Sequence, residues 1–566
     1  MTHPLDSFLA STHIAYFTME IALRAEMHTY SGGLGVLAGD TARSCADLQI
    51  PVVFVSLASR AGYLRQEIDA DGRQIDYPDP WDPAQWTVPL DAMIAIRLEG
   101  RQVWIRPWLY IQESPLGTQV PVILLDTDIE QNDPADRAIT AALYGDGQDY
   151  RLRQESVLGI GGVRILQALG FDIQSYHMNE GHSALLTIEL LRRYPWRSDR
   201  TDSSQTRHDA ERVIERCIFT THTPVESGHD RFPYELVHRT LDGFIDVDEL
   251  KRFAGEETCN MTRLALALSG YVNGVARSHA ATTARMFPGY RVRAITNGVH
   301  VGTWAHPRLA ALFASLLPHW SHEPEVLALA DQLPDEAVWQ AHEAARADLV
   351  TLTLERTGVS LDPHLPTIGF ARRMTGYKRP DLIFSDMERL LAIHRNRPFQ
   401  IVMAGKAHPQ DEEGKRLIAD IHDHIARMKG QITMAFLPNY DIDIAKLLVA
   451  GADIWLNTPL PPMEASGTSG MKAAVNGVLN LSVLDGWWAE GCIEGVTGWA
   501  IGSRTDLDGE RHADELFGKL EGTVLPLFHD DRERWIWMMK QSISKLAAYF
   551  NSQRMMRRYA TEAYLR

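Results

Sequence analysis

Residues Ile432–Thr458 read ITMAFLPNYDIDIAKLLVAGADIWLNT. Two short apolar runs, ITMAFL and IWLN, enclose a segment whose apolar residues recur at helical spacing from Ile442 to Val449. The runs are too short for helices and lack the polar alternation of a half-exposed strand. They read as strands buried on both faces and joined by a crossover helix, the grammar of a parallel sheet. The pattern extends outward: TIGFA from Thr367, QIVMAG from Gln400, VLNLSV from Val478 and TGWAIG from Thr497 are further β-rich runs, most separated by helical stretches. The second half is therefore predicted to be a doubly wound α/β unit.

The first half repeats the grammar less cleanly. IAYFTM from Ile14 and VVFVSL from Val52 flank a helix over about 36–48, CIFTTH from Cys217 and RAITNG from Arg293 read as later strands, and a long helix is predicted over about 150–169. Residues 307–350 are rich in Ala, Leu and Glu with little β pattern, so the boundary is placed within 300–350. The expectation is an α/β chain of two Rossmann-like domains facing a cleft, 1–310 and 311–544. Residues 534–566 are read as one or two basic-faced amphipathic helices, a surface element closing the domain, with about 545–566 packing back on the first as the alternative.

The whole chain of 566 residues carries a net charge of −17, which argues against nucleic acid or an anionic membrane as partner. No apolar run is long enough to cross a bilayer, and the N-terminus lacks the basic-then-apolar pattern of a secretory signal. Four scattered cysteines form no CxxC pair, so reduced thiols in a cytoplasm are expected.

Strand ends facing a cleft are where ligands bind in such folds. YSGGLGVLAGD (Tyr30–Asp40) follows the first strand and opens a helix, so its N–H groups can attract an anion. GFARRMTGYKRP (Gly369–Pro380) sets Arg372, Arg373, Lys378 and Arg379 after a strand of an acidic chain, which suits more than one phosphate. HMNEGHSAL (His177–Leu185) and FTTHTPVESGHDRF (Phe219–Phe232) put histidines at strand ends, but no zinc-ligand spacing is present and no metal is expected. EASGTSGMKAAVNG (Glu464–Gly477) sets Lys472 beside a glycine-rich turn, an arrangement able to fix pyridoxal phosphate through an imine to the amine.

In combination, GGLG, NEGH, THTPVE, TNG, RRMTGYKR and EASGTSGMK resemble, in order, the α-glucan (glycogen, starch, maltodextrin) phosphorylases in a short bacterial form, from about residue 14 to the C-terminal helix. The resemblance implies the two-Rossmann glycosyltransferase fold (GT-B) and reversible phosphorolysis of terminal α-1,4 glucosyl units to glucose 1-phosphate with retention. It implies pyridoxal 5'-phosphate as cofactor, inorganic phosphate and α-glucan as partners, and a homodimer as the family-level expectation. The familiar N-terminal regulatory arm is not recognised, so the known allosteric switches are not expected.

Residue by residue, the resemblance implies that Lys472 forms the imine, Arg372 with Thr468 and Ser469 holds the cofactor phosphate, and Tyr440 and Trp304 pack near its ring. Arg373 and Lys378, with N–H groups of Gly32, Gly33, Leu34 and Gly35, would clamp substrate phosphate. A carbonyl near His222 would face the oxocarbenium-like centre, with the His222 ring and Asn297 at O6. Glu464, Ala465, Ser466 and Gly467 would grip O3 and O4, Tyr377 would reach the 2-hydroxyl side, and Glu180 and His182 would support the sugar site. Retaining glycosidases use two close carboxylates; here the resemblance gives the acid work to substrate phosphate, with the cofactor phosphate relaying a proton. The rival reading is a glycogen or starch synthase using a nucleotide sugar, which has no evident need of Lys472.

Overall fold

The computed structural model describes residues 4–195, 208–503, 509 and 511–565. Two large sheets organise the chain. In the first, Arg293–Ala294, Tyr271–Gly274, Cys217–Thr221, Ser175–Asn179, Ile14–Thr18, Val52–Leu57 and Gln119–Asp126 lie side by side in that order, all parallel. An antiparallel edge is added by Arg101–Glu113, with Val88–Pro89 and Ile94–Leu98 paired to it. The second sheet runs Met434–Leu437, Gln400–Ala404, Thr367–Ala371, Ile454–Asn457, Leu479–Val483 and Gly498–Ile501, parallel throughout.

Both sheets place their first parallel strand centrally and reverse direction beside it, which is the doubly wound order. The parallel strands are almost wholly buried because crossover helices cover both faces, so Val, Ile, Leu and Phe fill consecutive positions instead of alternating. The reversal opens a crevice between Ile14–Thr18 and Ser175–Asn179 in one sheet, and between Thr367–Ala371 and Ile454–Asn457 in the other.

The helix expected near 36–48 spans Gly33–Asp47, and that expected over 150–169 runs from Gln148 to Ala168 through a wider turn at Val157–Gly161. Two expectations need correction. RAITNG contributes only Arg293–Ala294 to the sheet; beyond it, the carbonyls of Thr296 and Asn297 accept hydrogen bonds from Arg554, which draws the chain out of the ladder. Of the two readings of the C-terminal segment, the surface one needs correction. Trp535, Met538 and Met539 are buried on the second unit, whereas Met555, Met556 and Tyr559 are buried against Tyr16, Leu37 and Cys45 of the first. No helix is long and apolar enough to cross a membrane among the described residues.

The two sheets' units are joined by polar contacts. The hairpin Arg65–Ile68/Gln74–Tyr77 reaches from the first to the second: Gln66 exchanges hydrogen bonds with Asn439 and donates to the Gly405 carbonyl, while Gln74 exchanges two with Ala407. Lys406 Nζ donates to the Leu64 carbonyl at 2.9 Å.

Candidate active site

The cationic run after Thr367–Ala371 and the glycine-rich turn after Ile454–Asn457 meet at one carboxylate. Arg372 Nη2 and Lys378 Nζ each donate to Glu464 Oε2 at 2.5 Å. Burial alone would raise the proton affinity of Glu464; Arg372 and then Lys378 outweigh it and hold the carboxyl down at about 2. Glu464 is therefore an anion at every working pH. Its backbone N–H is held by Asp485 Oδ2 at 2.8 Å. Burial pushes Asp485 up to about 6, against the N–H groups of Glu464 and Gly486. Gly486 has φ +54°, and a Cβ there would stand 2.4 Å from the Ser466 carbonyl oxygen, so glycine is required for the turn to close.

Several donors near this carboxylate are unspent. Arg372 Nη1 is buried without a hydrogen-bond partner, as is Ser466 Oγ. The N–H groups of Ser466, Gly467, Ser469, Gly470 and Met471 find no acceptor among the described residues. Buried donors without acceptors are costly, so this cradle has the chemistry of an anion and hydroxyl site. Ser469 is a partial correction: its hydroxyl accepts from Trp455 Nε1 at 3.1 Å, so only its N–H is turned to the cradle. Thr468 caps the helix with its carbonyl, which accepts from Lys472 N at 3.2 Å. Ala465 is half-buried between Glu464 and Ser466. Tyr440 lies beside Arg372, and burial drives its phenol's pKa upward.

Lys472 sits in the helix Ser469–Val475 and is buried, with its Nζ 4.1 Å from the centre of the Trp304 ring. Burial lowers the amine to about 8, opposed by Asp40. A desolvated amine of lowered proton affinity is a ready nucleophile toward an aldehyde.

Arg373 is open to solvent and lies beside Tyr377, Tyr63 and Tyr144. Lys378 Nζ also lies over the Tyr377 ring, 4.6 Å from its centre. The glycine loop needs a correction. The Gly32 N–H is not free for a ligand: it donates to Glu20 Oε2 at 3.2 Å, as does the Ser31 N–H at 2.6 Å, and Tyr144 donates to Glu20 Oε1 at 2.9 Å. A Cβ at Gly35 would stand 2.6 Å from the same carboxylate oxygen. The N–H groups of Gly33, Leu34 and Gly35 have no acceptor among the described residues and remain for an anion.

Just past the C-terminal end of Ser175–Asn179, Glu180 has φ 72° and ψ 168°, a conformation costly for any side-chain-bearing residue. The twist brings its carboxylate onto the N–H of Gly181 at 3.0 Å and of His222 at 2.7 Å, and onto Thr223 Oγ1 at 3.0 Å. His222 Nε2 lies 2.6 Å from Asn179 Oδ1. Burial, followed by His279, His177 and His182, pushes His222 down to about 3, so the ring is neutral with Nε2 protonated and Nδ1 an acceptor. His182 is likewise held near 3 by burial and Arg151; its Nε2 is 3.5 Å from Asp230 and its buried Nδ1 has no partner. Asn297 is buried, its N–H on the Val275 carbonyl at 3.0 Å.

A family profile described as carbohydrate phosphorylase matches residues 246–491. The chain is 38% identical to a maltodextrin phosphorylase of Thermococcus litoralis, over 97% of this chain and 70% of that protein. It is 34% identical to a glycogen phosphorylase of Aquifex aeolicus, over 97% and 86%, and 36% identical to one of Mycobacterium tuberculosis, over 98% and 71%. The chain belongs to the carbohydrate phosphorylase family.

A carbohydrate phosphorylase must hold phosphate and sugar together, and unspent guanidinium, hydroxyl and N–H donors gather beside Glu464. The residues also fit pyridoxal phosphate: an aldehyde end has the buried Lys472 amine, a ring has Trp304, and a phosphate has Arg372 Nη1 and the N–H groups of Ser469–Met471. Three residues that shape this site were given no role in the motif reading: Glu20 and Asp485, which lie outside the quoted motifs, and Asn179, inside HMNEGHSAL. The signal available for Glu20 and Asn179 is position, since each lies within two residues of a central strand's C-terminal end.

Proposed function

We propose that this chain is an α-1,4-glucan phosphorylase of GT-B architecture, with domains dividing near residue 310. It would transfer a terminal glucosyl unit of glycogen or maltodextrin reversibly to inorganic phosphate, giving glucose 1-phosphate with retention. The observation that carries the reading is a buried, weakly basic Lys472 beside a cradle of unspent anion donors, all next to a permanently ionised Glu464.

Pyridoxal 5'-phosphate would be anchored by Lys472, with Trp304 and Tyr440 at its ring and Arg372 and the Thr468–Met471 turn at its phosphate. When bound, it supplies a second phosphate group beside the substrate phosphate. The chain's own residues do the rest. Arg373 and the N–H groups of Gly33–Gly35 hold substrate phosphate, and Lys378 offsets the repulsion between two close anions. Glu464 stays ionised and accepts from the 3- and 4-hydroxyls, while the N–H groups of Ser466 and Gly467 donate to them. Tyr377 faces the 2-hydroxyl side. Neutral His222 accepts a sugar hydroxyl at Nδ1, with Asn297 at the same hydroxyl. Glu180 fixes the His222 backbone, and so aims the neighbouring carbonyl at the positive charge developing at C1; His182 backs the sugar site. With Glu464 ionised and His222 and His182 neutral, these groups are poor proton donors to the leaving oxygen, which suits an acid role for phosphate itself.

The deciding assay is glucose 1-phosphate release from maltodextrin by protein supplied with pyridoxal phosphate. Release that depends on added phosphate is the expected result. Turnover of a nucleotide sugar, with no phosphate-dependent release, would overturn the proposal in favour of a synthase.

A further inference from the structure

Behind Trp304 lies a carboxylate that the proposed reaction does not use. Asp40, on the helix Gly33–Asp47 of the first unit, is 1% exposed. Its Oδ2 accepts from Trp304 Nε1 at 2.8 Å and from the His300 N–H at 3.2 Å. Its Oδ1 is buried with no hydrogen bond; the nearest cation is Arg43 Nη1 at 3.5 Å, itself without a hydrogen-bond partner. On the opposite side of this arrangement, the Trp304 ring carries the Lys472 amine at 4.1 Å. A carboxylate accepting from an indole N–H pushes electron density into the ring and strengthens its hold on a cation.

We propose that Asp40 is a positioning residue for the Lys472 amine, acting through Trp304 from the other sheet's unit to set the amine's orientation and proton affinity for the carbonyl it captures. The proposal rests on the pyridoxal phosphate reading above. The charged groups on this side are few. Asp40 opposes the effect of burial on Lys472. Arg43 stands behind Asp40, and the His300 ring is occupied by Asp47 at 2.9 Å and Thr303 at 2.7 Å. No carboxylate among the described residues lies within 4.0 Å of Lys472 Nζ.

The sign of the effect separates this role from a structural one. Asp40→Asn keeps the acceptor for the indole and removes the charge, so the amine loses its proton at lower pH. Cofactor-free full-length protein is mixed with pyridoxal 5'-phosphate across pH 5.5–9.5 and trapped with borohydride, and the adduct at Lys472 is quantified by mass spectrometry. The rate profile of Asp40→Asn is expected to shift down by about half a unit to one unit, so that the variant reacts faster than wild type near pH 6.5. Trp304→Phe, which keeps a ring and loses the N–H, is expected to shift the same way. An unshifted profile, or a rate reduced equally at all pH values, overturns the proposal. If the wild type forms no adduct at Lys472, the cofactor reading fails instead. The same profile, read with acetic anhydride as the amine-reactive probe, then decides on Asp40: a downward shift supports it and none overturns it.

Discussion

At the scale of single residues, the site is built on charges that cannot relax. Glu464 is fixed by two cations, and replacing it by Gln leaves Arg372 and Lys378 buried without their counter-charge. Glu464→Gln is expected to lose about 3 kcal/mol of stability, seen in denaturant melts, and to raise the KM for glucan. Lys472 adds a pH dependence in a higher window. In the folded, cofactor-free chain its amine titrates near 8, against 10.5 for a free side chain. Between those values the unfolded chain binds a proton that the native state lacks, so stability rises with pH across the window, by on the order of 3 kcal/mol in all. Denaturant melts at pH 8 and pH 10 should register that gain, and Lys472→Met should abolish it together with cofactor retention. Arg373→Ala should reduce kcat/KM for phosphate and for glucose 1-phosphate at least roughly tenfold while leaving dextrin binding near wild type; equal losses on both sides would assign Arg373 elsewhere.

At the scale of elements, legibility followed burial. The six strands of the second sheet were readable because each is largely enclosed on both faces and carries a mostly apolar run, LNLSV excepted. Arg101–Glu113 was not, since one of its faces is only partly buried and its sequence mixes Arg, Trp, Pro and Gln. In the site the contrast is similar. Arg372, Lys378, Glu464 and Lys472 stand in compact motifs, whereas Glu20 and Asp485 lie outside them, and Asp40 ends YSGGLGVLAGD but finds its partner, Trp304, far away in sequence. The surface reading of the C-terminal segment failed because its basic side chains suggested a solvated face. Arg554 instead enters the protein to donate to the carbonyls of Thr296 and Asn297. Arg554→Met should loosen that loop and raise the KM for glucan several-fold with little change in the KM for phosphate, which steady-state kinetics with each substrate varied in turn will separate.

At the scale of the whole molecule, the hairpin Arg65–Tyr77 and the C-terminal segment tie the two sheets' units from opposite directions. The paired change Gln66→Ala/Gln74→Ala removes the hairpin's side-chain bonds to the Asn439 N–H, the Gly405 carbonyl and Ala407. It should raise the radius of gyration in small-angle scattering and raise the KM for phosphate; an unchanged radius would show that the hairpin does not set closure. The C-terminal tie has a consequence in time. Tyr559 hydrogen-bonds to Thr220 and Asn273, and Ser552 to Ser44, inside a core otherwise built from the first 300 residues. A ribosome has to translate the entire second sheet before those side chains exist. The early half must therefore wait, with Tyr16, Leu37 and Cys45 uncovered, until the helix that seals it is synthesised some 250 residues after its own last strand. Nascent chains halted before that helix are expected to be the form that chaperones recognise.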